Sequence, residues 1–202
     1  MGNRSTRDTR SVRVCVYCGS SPGFDPVFAV AAAELGVALV GAGHSLVYGG
    51  GDVGLMGVVA DAVLDAGGEV IGVIPEALVA RELAHNGLTE LVITGSMHER
   101  KAIMVERADA FVALPGGFGT FDELFETLTW LQLGIHAKPI VVFDVDGFFE
   151  PLFALADRAV GAGFLKPVHR AAAVRATTVD EVLAALAAPP ATPEPKWLGA
   201  RP

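Results

Sequence analysis

A chain of 202 residues, 51% hydrophobic and 19% charged, is long enough for one domain with a substantial core and too apolar to stay disordered. Its net charge of −8 argues against a nucleic-acid polymer or an anionic bilayer as partner and points to a small molecule. Eleven Arg and four Lys still leave room for a local pocket that takes one phosphate.

The opening stretch, MGNRSTRDTR, is polar and Arg-spaced and lacks the apolar core of a signal peptide, so residues 1–11 read as a disordered tail and the location as cytoplasmic. SVRVCVYCGSS then predicts a strand over Val12–Tyr17. Cys15 and Cys18 form a lone C-x-x-C with no second pair or histidine cluster, so zinc spacing is unmet. They lie along a strand and its end rather than at a helix start, so they read as reduced core thiols. Val27–Gly43 is almost uncharged but is interrupted by Glu34 and followed at once by a strand. It reads as part of a buried helix, Asp25–Gly41, not a membrane span.

A strand over Ser45–Tyr48 leads into YGGGDVGLMG and a helix over Gly54–Ala66. Gly49, Gly51 and Gly54 give G-x-G-x-x-G, a weak dinucleotide fingerprint when alone. The ribose-binding acid should end the next strand, whereas Glu69 begins it, which disfavours NAD. Close packing of helix on strand, or a mononucleotide, fits these glycines better. Strands follow at Glu69–Ile74 and Glu90–Ile93, then a helix at Ser96–Arg107. HERKA within it has Ala102 where a zinc protease needs a second histidine. Arg100 and Lys101 fall in its first turns, where basic residues oppose the helix dipole.

A strand over Ala110–Leu114 runs into PGGFGT and a helix over Thr120–Leu133. No Walker lysine follows any glycine turn, so a P-loop NTPase is not expected. Thr120 and Glu123 match the capping box T-x-x-E, which by itself would explain Glu123. The last elements expected are a strand at Ile140–Phe143, a helix at Phe149–Ala162, a strand at Ala172–Arg175 and a helix at Val179–Ala187. From Pro189 the chain is Pro-rich and reads as a disordered tail, 189–202. The strands are continuously apolar, as in sheets covered on both faces. The expected fold is therefore α/β: a Rossmann-like, doubly wound, mainly parallel sheet of about seven strands with helices on both faces, in one domain over 12–188.

In such a fold the turns CGSSPG, YGGGDVGLMG and PGGFGT converge on one rim. Arg100 then meets Glu123 across neighbouring strand ends, beside a phosphate cradle from Gly116, Gly117, Gly119 and Thr120. An arginine beside a carboxylate favours its charged form. A structural ion pair is the plainer reading of the same two residues.

PGGFGTFDE matches P-G-G-x-G-T-x-x-E, and MHERK matches M-H-x-R-K. With CVYCGSS, YGGGDVGLMG, IGVIPEAL and TWLQLGIHAKP they resemble the LONELY GUY (LOG) family, cytokinin riboside 5′-monophosphate phosphoribohydrolases, over roughly Val14 to Lys166. The resemblance implies release of the free base from an N6-substituted adenosine 5′-monophosphate, leaving ribose 5-phosphate. It implies Arg100 and Glu123 as the catalytic pair, Gly117, Gly119 and Thr120 on the phosphate and ribose, and Glu82, Lys101 and Thr129 around the substrate. Within the same motifs Gly19, Ser20, Gly50, Gly51, Gly116, Phe118, Phe121 and Asp122 are further candidates for substrate binding. Phe118 and Phe121 stand where Tyr and Leu are more usual, and Asp122 where Glu is common. The resemblance also implies a homodimer with active sites near the interface, and neither metal nor cofactor.

Relatives often carry the label lysine decarboxylase. A pyridoxal enzyme needs a Schiff-base lysine with an acid partner for the ring nitrogen. None of Lys101, Lys138, Lys166 and Lys196 suits that role by position. Breaking a ribose–base bond builds positive charge on the anomeric carbon. An ionised Glu123 would stabilise that charge, orient water or attack as nucleophile. For protonation of the leaving base, Asp52, Glu82 and solvent are the candidates. The alternative is a non-catalytic nucleotide or cofactor carrier on the same fold, which needs the glycines but not the Arg–Glu pair.

Overall fold

The computed structural model describes residues 11–79 and 84–188. Glu82 and, apart from Ser11, the two predicted tails lie outside them. Seven strands form one sheet: β1 (Arg13–Tyr17), β2 (Ser45–Tyr48), β3 (Val70–Pro75), β4 (Glu90–Thr94), β5 (Ala110–Ala113), β6 (Ile140–Phe143) and β7 (Ala173–Ala176). Their order is β4-β3-β2-β1-β5-β6-β7, with every pairing parallel. The chain lays strands outward from β1 on one side, then returns to lay β5 on the other. This makes β1/β5 the point where the winding reverses and ligands gather.

Both faces are covered, which is why β1, β2, β5 and β6 carry unbroken apolar runs. Helices α1 (Pro26–Gly41), α2 (Gly54–Asp65) and α8 (Val179–Ala187) cover one face through Leu35, Leu39, Val59, Val63, Val182 and Leu186. On the other lie α4 (Met97–Arg107), α5 (Phe118–Leu133), α6 (Glu150–Gly161) and the short α7 (Pro167–Ala171), burying Met104, Leu124, Leu131 and Phe153. The uncharged segment around Glu34 is α1, started by Asp25, whose side chain accepts from the Val27 N–H at 2.9 Å, and by Pro26. Among the described residues no helix is long and apolar enough to cross a membrane.

Two short helices escape the sequence pattern: α3 (Glu76–Val79) and α7, too brief to show a helical period. A more consequential correction concerns α5. It begins at Phe118, with Gly117 as N-cap in extended conformation, so Thr120 is the third helical residue and Glu123 the sixth. The expected capping box is therefore absent. Glu123 lies nearly a full turn deeper in the helix than a capping residue would.

Candidate active site

The loops after β1, β2 and β5 surround a cleft of about 200 Å³ beside the switch point. Its walls are Val16, Cys18, Gly19 and Ser20 from β1 and its loop, Gly49 after β2, Met56 of α2, Arg100 of α4, and Gly117–Thr120 with Glu123 from α5.

Arg100 is the most constrained of these. Helix α4 opens on Ser96, whose hydroxyl accepts from the Glu99 N–H at 3.1 Å, while Glu99 accepts from the Gly95 N–H at 2.8 Å. The first turn thus does carry an acid, and Arg100 and Lys101 fall one turn later, which weakens the expected conflict with the dipole. Arg100 is only 7% exposed. Its Nε donates to the Val73 carbonyl at 3.1 Å and its Nη2 to the Gly49 carbonyl at 3.3 Å. The remaining guanidinium nitrogen, Nη1, faces Glu123 Oε1 at 3.7 Å. A buried guanidinium survives desolvation only with such partners. Gly49 is the enabling residue: a Cβ there would stand 2.1 Å from Arg100 Nη2.

Glu123, 8% exposed, is brought opposite by the buried face of α5. Thr127 donates its hydroxyl hydrogen to the Glu123 carbonyl at 2.8 Å, so the 2.9 Å contact with Tyr17 must be donated by the tyrosine O–H. Strand β1 thereby fixes the turn of α5 that carries Glu123. Among the described residues Glu123 is the only carboxylate lining the cleft.

The start of α5 is left without a side-chain cap, as are those of α2, α6 and α7, but it alone of these lines the cleft from its N-cap onward. Helices α1, α4 and α8 are capped by the side chains of Asp25, Ser96 and Thr178, whereas α5 has no side-chain cap. Its first N–H groups and positive dipole end point at the cleft, an arrangement suited to an anion. A Cβ on Gly117 or Gly119 would meet nothing within 4 Å, so both positions leave open space. Gly116 differs: its Cβ would stand 2.1 Å from Thr120 Oγ1 and 2.8 Å from the Gly19 nitrogen. It lets the β1 and β5 loops touch, and the Gly19 N–H donates to the Pro115 carbonyl at 3.0 Å.

The other candidates sit elsewhere. Gly50 and Gly51 are outside the cleft wall, where Gly49 stands instead. The Gly50 carbonyl accepts from the His85 N–H at 3.1 Å and Gly51 bridges Ala84. Gly54, the last glycine of the fingerprint, packs α2 against the β1 loop, since a Cβ would lie 2.3 Å from the Ser20 carbonyl carbon. Lys101 pairs with Asp122 at 3.0 Å and Glu126 at 3.2 Å beside the cleft. Phe121 packs against Phe118 and Phe148 at the lip. Thr129 is exposed and donates to the Phe125 carbonyl at 2.6 Å. Asp52 lies outside the wall, turned toward His85.

Cys15 and Cys18 are free and buried. Burial, then the charge of Glu123, pushes both thiols up, so the Cys18 sulfur on the cleft wall stays protonated. Burial alone would lower the Lys101 ammonium, but hydrogen bonds to Asp122 and Glu126 outweigh it and hold it above its ordinary value. Lys138 lies at the opposite rim, with its Nζ donating to the Val105 carbonyl at 2.6 Å. Neither amine is placed as a Schiff-base nucleophile in the cleft.

Residues 56–186 match the family model described as possible lysine decarboxylase. A probable cytokinin riboside 5′-monophosphate phosphoribohydrolase of Oryza sativa subsp. japonica is 52% identical over 171 residues, 85% of this chain and 77% of that protein. A second rice protein, named cytokinin riboside 5′-monophosphate phosphoribohydrolase, is 49% identical over 88% of this chain and 73% of its own. A protein of that name from Arabidopsis thaliana is 46% identical, covering 89% and 83%. Among solved structures, the molybdenum cofactor binding protein of Rippkaea orientalis superposes with a TM-score of 0.66 at 22% identity, covering 87% of this chain and 94% of that one. The molybdenum cofactor carrier protein of Chlamydomonas reinhardtii gives 0.65 at 23%, covering 88% and 96%. At that identity the likeness is one of fold.

Proposed function

The chain belongs to the LONELY GUY (LOG) family of cytokinin riboside 5′-monophosphate phosphoribohydrolases, and we propose that its cleft cuts the N-glycosidic bond of N6-substituted adenosine 5′-monophosphates. The products are the free base and ribose 5-phosphate. The observation that carries this reading is the buried pair of Arg100 and Glu123, 3.7 Å apart, set against a glycine-lined helix start.

The 5′-phosphate would lie on the first N–H groups of α5, with Gly117 and Gly119 admitting it and Thr120 beside it. That anchor places the ribose near Glu123. As the bond from C1′ to the base nitrogen breaks, the negative carboxylate opposes the positive charge growing on C1′. Water supplies hydroxide to C1′ and a proton to the departing base. Arg100, tethered to two backbone carbonyls, holds the Glu123 carboxylate in place and offers positive charge toward the phosphate. Among the described residues no lysine lines the cleft, so a decarboxylase reading finds no support there. The molybdenum cofactor proteins share the fold at 22–23% identity, whereas the relatives at 46–52% are named hydrolases, so hydrolysis is preferred over a carrier role.

Chromatography of products from AMP and isopentenyladenosine 5′-monophosphate tests this. Equimolar base and ribose 5-phosphate are expected, faster from the prenylated substrate. Intact nucleotide after long incubation, with binding retained, would return the carrier reading.

A homodimer is part of the same proposal. Phe118 is 91% exposed at the lip of the cleft, and Phe125 and Ile135 are also exposed on and just beyond α5, an apolar strip that a second copy would cover. Light scattering should give twice the 20.9 kDa of one chain, and a monomer at micromolar concentration would refute it.

A further inference from the structure

A second group of chemically active side chains lies beside the cleft and takes no part in it. Asp52 comes from the loop between β2 and α2, Asp61 from α2, and His85 from the segment before β4. That segment is fastened to the glycine loop by the His85 N–H to Gly50 carbonyl bond at 3.1 Å and by the Gly51–Ala84 bridge. His85 is 7% exposed. Its Nε2 is 3.0 Å from Asp61 Oδ1 and 3.7 Å from Asp52 Oδ1, and the three atoms lie within 4.8 Å of one another.

Two carboxylates so close repel each other, and one imidazole nitrogen can bond well to only one of them. The hydroxyl of Tyr48 adds a second, independent sign. Among the described residues it is buried with no hydrogen-bond partner, and after burial the charges of Asp52, Cys18 and then Asp61 weigh on it, so both carboxylates of the cluster act on it. Buried polar groups of this kind normally have a partner. A hydrated cation would answer both features, drawing the carboxylates together and presenting a bound water. The spacing suits it: ligand atoms about 2.0–2.2 Å from one tetrahedral ion lie roughly 3.3–3.6 Å apart, so small side-chain movements complete the set. A nitrogen ligand among oxygens selects a transition metal over magnesium or calcium.

We propose that Asp52, Asp61 and His85 bind one divalent transition-metal ion of the zinc class, bracing the glycine loop from outside the cleft. The ion would tie α2 and the segment before β4 to the loop whose first glycine, Gly49, accepts from Arg100.

The test is calorimetric titration of the untagged full chain, freed of metal by a chelator, with Zn²⁺. One ion per chain and a raised melting temperature are expected, with both lost in His85→Gln and in Asp61→Asn. Asp61 is exposed, so its variant should fold even if the histidine variant does not. No saturable binding by wild type, or undiminished binding by a folded Asp61→Asn chain, would overturn the proposal. Neither result depends on whether the cleft is a glycosidase.

Discussion

Glu123→Gln is expected to slow base release by roughly 10²–10³-fold while nucleotide binding persists. The substitution keeps the size of the side chain and removes its charge, so it tests charge rather than packing. Because α5 starts at Phe118 with Gly117 as its N-cap, Glu123 has no capping duty, and the helix start survives the change. Removing one partner of a buried ion pair can cost about 3–5 kcal/mol. Here Arg100 keeps the carbonyls of Val73 and Gly49, and glutamine still offers an amide oxygen. The loss in stability should therefore stay near 1–2 kcal/mol, measurable by urea denaturation. Single-turnover assays at saturating nucleotide separate the two effects. A variant that releases base at the wild-type rate would reduce Glu123 to a structural ion-pair partner.

How much of this was legible in the sequence depends on what each feature rests upon. The strands were readable as short, mostly apolar runs between turn residues, and the unbroken apolar runs of the central ones showed that both faces are covered there, while the edge strands β4 and β7 are partly exposed. The βα alternation implied a parallel, doubly wound sheet and brought CGSS, GGG and PGGFGT to one rim, whereas the order of strands came only with the structure. The start of α5 was not readable. Thr120 and Glu123 satisfy a local capping pattern, yet the β5 loop, pinned by Gly116 against Gly19, begins the helix two residues earlier. Gly49 was overlooked as a cleft residue for a similar reason. Its role is to leave room for a guanidinium 51 residues later in the chain, a relation with no local signature. Thr127 and Tyr17, which fix the turn of Glu123, are 110 residues apart and meet only because β1 lies beneath α5. Thr129 matched the family motif, yet in this chain it is exposed, while Thr127 turns inward.

Removing the 5′-phosphate from the substrate is expected to lower kcat/KM by about three orders of magnitude, with much of the loss in kcat. Two or three charge-assisted bonds from the first N–H groups of α5, at about 1.5–3 kcal/mol each, give roughly 4 kcal/mol or more of anchoring, and each 1.36 kcal/mol is about tenfold in rate. Because the phosphate is remote from C1′, that energy serves to align the ribose against Glu123, so its loss appears in turnover as well as binding. Gly119→Ala isolates the anchor from the rest of the fold. A methyl there meets nothing within 4 Å, and alanine is the better residue in a helix, so the variant should be as stable as wild type or slightly more so. The same methyl stands where the phosphate must approach, so turnover of the 5′-monophosphate should fall while the slow turnover of the nucleoside hardly changes. Equal turnover of nucleoside and nucleotide by wild type would remove the phosphate from the mechanism. A Gly119→Ala chain that hydrolyses the nucleotide normally would move the anchor away from the start of α5 to the β1 loop, where Gly19 and Ser20 form the facing wall.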